Sequence, residues 1–80
     1  MSKDMTPSMQ MQGYTIRYDY SDKRVERQGS YAATHAGREM ADMNAGLQNT
    51  LTQIHEADIK ATVEEVWFSP SAGYEYREVK

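Results

Sequence analysis

The residues able to do chemistry in this sequence are scattered rather than gathered. The two histidines, His35 and His55, stand at opposite ends of one predicted helix and cannot share a metal ion, and there is no cysteine to add a thiolate ligand. Structural roles are expected for both, with His55 in the last helical turn, where the helix dipole favours a protonated imidazole. No serine lies in a strand-turn-helix elbow or a glycine-framed motif, so no nucleophile is set up beside a base. The five glycines occur singly and none opens a phosphate loop. Glu64, Glu65 and Glu75 come nearest to a paired-carboxylate site, yet adjacent residues of a strand point to opposite faces. The expectation is a non-enzyme with no catalytic, cofactor-binding or metal-binding residues and no cofactor.

Binding chemistry is better represented. Arg17, Lys23, Arg24 and Arg27 are interleaved with Tyr14, Tyr18 and Tyr20, a mixture that can stack and neutralise single-stranded nucleic acid. Asp19, Asp22 and Glu26 stand among the same residues, and the whole chain carries a net charge of −3 with a sequence pI near 5.2. A salt-paired hairpin is therefore the preferred reading, and a basic partner fits better than phosphate or anionic lipid. The acidity lies in the second half: residues 41–80 hold three Lys or Arg against seven Asp or Glu, while residues 1–40 hold six against five.

The elements that must position these groups follow from periodicity. Residues 1–12 (MSKDMTPSMQMQ) lack order of either period and read as a flexible leader. From Gly13, Tyr14, Ile16, Tyr18 and Tyr20 alternate with polar residues as a first strand, and Ser21-Asp22-Lys23 turns it into a second, Arg24–Tyr31, with Val25, Arg27, Gly29 and Tyr31 on one side. Gly29 inside that run marks a bulge or a close backbone approach. Thr34 is a candidate N-cap for a helix to about Ala57, whose stripe Ala36, Met40, Met43, Leu47, Leu51 and Ile54 is expected to face the core. Gly37 and Gly46 weaken this helix without changing the phase of the stripe. A third strand runs from Ile59 to Phe68, and after the turn Ser69–Gly73 a fourth runs from Tyr74 to Val79.

Residues 13–80 thus form one α+β domain of order ββαββ, with the helix laid across one face of a four-stranded antiparallel sheet. One helix leaves the other face open. The third strand changes apolar phase: Ile59, Ala61 and Val63 share a face, while Val66 and Phe68 fall on the other. Either a bulge near Glu64-Glu65 restores the register or both faces are covered, the second implying a partner. Glu64, Glu65, Val66, Trp67, Phe68 and Glu75 are accordingly the candidate partner-binding residues.

In element order, the hairpin YTIRYDYSDKRVERQGSY followed by the helix ATHAGREMADMNAGL resembles small phage-encoded inhibitors of bacterial host machinery. The resemblance spans residues 13–68, rests on no diagnostic motif and transfers no functional residue. It implies a compact, cysteine-poor, acidic binder that blocks a host polymerase or a nucleic-acid-guided defence complex. The expected function is a non-catalytic inhibitor or adaptor on a larger protein or nucleoprotein partner with a basic surface. A regulatory homodimer joined through sheet faces or edges is the alternative, followed by a nucleic-acid binder using the first hairpin. Without cysteine, a signal-like apolar run or a membrane-length segment, a cytoplasmic protein is expected.

Overall fold

The computed structural model describes residues 9–54 and 58–79. Most of the leader stretch and His55 lie outside these residues. The chain forms β1 (Gln10–Tyr20), β2 (Val25–Tyr31), α1 (His35–Ile54), β3 (Ile59–Ser69) and β4 (Gly73–Glu78). The strands make one antiparallel sheet in the order β2-β1-β3-β4, with α1 packed against it, the ββαββ arrangement expected from the sequence. β1 begins three residues inside the stretch read as leader, because Gln10 and Met11 pair with Phe68 and Trp67.

Local chemistry explains the joints. In the first turn the Lys23 amide donates to the Tyr20 carbonyl, the Tyr20 amide donates to the Arg24 carbonyl, and Lys23 takes a left-handed φ of 70°. A type I turn followed by a left-handed residue is a common three-residue hairpin loop. In β2, Tyr31 opposes Tyr14 while Gln28 opposes Ile16, so Gly29 and Ser30 face the single residue Thr15. Gly29 has a φ of 87°, and its carbonyl accepts the Thr15 hydroxyl at 2.8 Å. This bulge moves Tyr31 to the helix side of the sheet, away from Arg27, which corrects the simple alternation expected for the second strand.

Thr34 caps α1, its Oγ1 accepting the Gly37 amide at 3.0 Å. The helix passes through Gly46 unbroken. Its buried face, however, is not the predicted one. Gly37, Ala41 and Ala45 are buried, whereas Met40, Met43, Leu47, Leu51 and Ile54 are exposed, at 57%, 72%, 53%, 39% and 67%, and Ala36 is exposed with them. The reason lies in volume. The helix side of the sheet carries Tyr14, Tyr18 and Tyr31 around Ile16, Ala61 and Val63, and large rings on one layer leave room only for small residues on the other. Gly37 meets the β2–α1 connection instead, where a Cβ would run into the Ala32 carbonyl. Polar contacts complete the seam, with Asn44 Nδ2 donating to the Tyr31 hydroxyl at 2.9 Å.

Candidate binding surface

The contact of α1 with β1, β2 and β3 does not extend to β4. The far part of the β3–β4 hairpin therefore projects past the helix as a ribbon with neither face packed against α1. Pairing assigns the faces: Val66 opposes Tyr76 and Phe68 opposes Tyr74 on the open side, while Glu65 opposes Arg77 and Trp67 opposes Glu75 on the helix side. No bulge interrupts β3 at Glu64-Glu65, so the apolar phase change of the sequence is a true change of face. The ribbon closes through Pro70-Ser71-Ala72 onto Gly73.

Five of the six predicted partner-binding residues thus lie on this ribbon, divided between its faces. Val66 and Phe68 stand on the open side, where the Phe68 and Tyr74 rings meet at 4.9 Å between centroids. Tyr74 and Tyr76 are 65% and 40% exposed. Glu65, Trp67 and Glu75 stand on the helix side, where Glu65 accepts the Trp67 indole N–H at 2.8 Å and Arg77 lies over the indole, 4.6 Å from its centroid. Arg77 also pairs with Glu75.

Glu64 departs from the other five. It is buried at the root of the ribbon on the open side, where the Arg27 Nε donates to it at 2.8 Å and Arg17 reaches it at 3.5 Å. Its carboxylate is turned to the arginines of the first hairpin instead of outward. Asp19 holds Arg17 from the other side at 3.0 Å, and this hydrogen bond is the main cause of an Arg17 pKa raised above the ordinary guanidinium value, with burial opposing and Glu64 adding. Arg27 continues across the sheet onto Tyr76, its guanidinium carbon 4.0 Å from the ring centroid.

Arg24, the remaining arginine of the first hairpin, is occupied as well. Arg24 lies over the Tyr20 ring and beside Glu26, which also accepts the Tyr20 hydroxyl at 2.8 Å. This is the salt-paired hairpin that the mixed charges predict. His35 is exposed and faces Glu39 one turn along α1. Among the described residues there is no cluster of three His, Cys, Asp or Glu able to hold a metal ion, and no helix is long and apolar enough to cross a membrane.

The site offers aromatic rings, apolar edges and guanidinium planes held by strand pairing, groups suited to surface contact. Tyr74 and Tyr76, which alternation places on one side of the fourth strand, are not among the six candidate residues, yet both are exposed on the open face. Sequence reasoning missed the outer stripe of α1, which the spacing of Gly37, Ala41 and Ala45 at four-residue intervals would have revealed. Comparison with protein-family models, with curated proteins and with solved structures gives no match.

Proposed function

We propose that this chain is a non-catalytic protein-binding module, an inhibitor or adaptor that occupies a surface of a larger protein through the projecting β3–β4 ribbon. The observation that carries this reading is the ribbon itself, which exposes Tyr74 and Tyr76 on one face and sets Trp67 on the other, beyond the reach of α1. Tyrosine, tryptophan and arginine are the residue types that dominate binding energy at interfaces. Here each ring is held in place by a cross-strand neighbour or a stacked guanidinium, which lowers the entropy lost on binding. Glu65, Glu75 and Glu78 outnumber Arg77 on the ribbon, so the partner surface is basic.

The resemblance in element order to small phage-encoded inhibitors supports a bacterial protein or nucleoprotein complex as the target, met in the cytoplasm. The test is capture from a bacterial lysate with the wild-type chain and with Trp67→Ala, Tyr74→Ala/Tyr76→Ala and Lys23→Glu variants. A partner retained by wild type and by Lys23→Glu, at the far end of the sheet, and lost with both ribbon variants is the expected result. Equal recovery by the ribbon variants overturns the proposal.

A further inference from the structure

The outer face of α1 is a second surface, separate from the ribbon, and we infer that it pairs with the same face of a second copy of this chain, the two helices running antiparallel about a two-fold axis at Leu47. The inference does not rest on the ribbon reading. Its first support is the spacing of the exposed stripe. Met40 and Met43 stand seven and four residues before Leu47, and Leu51 and Ile54 stand four and seven after it. A two-fold interface requires that if residue i meets residue j, then j meets i. Antiparallel pairing at Leu47 meets that condition along the whole stripe, with Met40 against Ile54 of the second copy, Met43 against Leu51, and Leu47 against itself. A partner of unrelated sequence imposes no such symmetry.

Area is the second support. The exposures of these five side chains leave roughly 550 Å² in water, so their complete burial in two copies removes at most about 1,100 Å² in total, close to the ~1,000 Å² that separates a specific interface from an incidental contact. Such an interface is small, and the dimer should dissociate on dilution. Charge is the third. Arg38, Glu39 and Asp42 all lie in the first half of α1, and Met43–Ile54 contains no charged residue, so antiparallel pairing sets each charged end beside an uncharged one. It also opposes the helix dipoles favourably.

The test reads the mass of the full chain by light scattering across a dilution series. Wild type should give about twice 9.2 kDa and fall toward 9.2 kDa on dilution, while Met43→Glu and Leu47→Glu remain monomeric with unchanged helical circular dichroism. Because the chain has no cysteine, single cysteines can map the pairing. With a short bis-maleimide, Leu47→Cys should crosslink to itself. Met40→Cys should not, because its copy lies about 21 Å away along the helix pair, but it should crosslink to Ile54→Cys. A wild-type mass of 9.2 kDa at every concentration, self-crosslinking of Met40→Cys, or a dimer that survives Leu47→Glu overturns the inference. Loss of the dimer with ribbon-dependent capture intact removes this inference alone; a dimer without such capture removes only the ribbon proposal.

Discussion

Asn49 is the most revealing residue to change. β4 gives way to Val79, whose amide still donates to the Val63 carbonyl at 3.2 Å, and beyond that point β3 has no strand on this side. Asn49, reaching down from α1, takes the place of one. Its Nδ2 donates to the Ala61 carbonyl at 2.9 Å and its Oδ1 accepts the Ala61 amide at 2.8 Å, so one side-chain amide satisfies both polar groups of a residue only 6% exposed. Asn49→Ala leaves both unpaired beneath the helix. Each such loss costs about 1–3 kcal/mol when the group stays buried, and partial entry of water brings the expected total to about 2–3 kcal/mol. A domain of this length has about 4–12 kcal/mol of stability in all, so the variant should melt roughly 10–20 °C below wild type. Asn49→Asp keeps an acceptor for the Ala61 amide but loses the donor, and should recover no more than about half of the loss. Urea and thermal denaturation, with exposed Gln53→Ala as a control, measure these differences. A loss for Asn49→Ala below about 0.5 kcal/mol, the range of neutral surface changes, would refute the view that this amide stands in for a strand.

Three further outcomes are expected. Glu64→Ala strands Arg17 and Arg27 over the open face; because both arginines keep about a third of their surface in water, the loss in urea denaturation should be about 1–3 kcal/mol, less than for a fully buried pair. Lys23→Gly relieves the left-handed turn position and should raise stability by about 0.5–1 kcal/mol in the same assay, whereas a decrease would contradict the turn geometry. The Tyr20 hydroxyl has its pKa raised above 10.0 chiefly by donating to Glu26, and that of Tyr18 is raised chiefly by burial. Raised tyrosine values stabilise the fold fully below pH 10.0 and lose that contribution as pH climbs through the higher folded values, so ultraviolet titration should show delayed tyrosinate formation that moves earlier on unfolding.

The sequence made the order of elements legible because each carries its own period: alternation in Tyr14–Tyr20, a hydroxyl cap at Thr34, and β-branched and aromatic residues from Ile59 on. The bulge at Gly29 was legible too, since glycine inside a strand has few other uses. The orientation of the helix was not. A stripe of Met, Leu and Ile ordinarily marks the core side, but which stripe is buried depends on the layer opposite, and tyrosines there admit only Ala41 and Ala45. Five of the candidate residues fall on the ribbon because the phase change after Val63 puts apolar side chains on both faces of the strand. The burial of Glu64 was hidden, because it depends on Arg17 and Arg27, which reach it from the first hairpin through sheet pairing that no local pattern encodes.

Arg27 and Tyr76 belong to the two edge strands, yet they touch across the open face. Two hairpins separated by a helix can in principle open as separate units, each with its own local stability. Here a single guanidinium is held by the carboxylate of β3 and lies over a ring of β4, so lifting the second hairpin also breaks a contact of the first. That contact couples the outermost strands by about 0.5–1 kcal/mol.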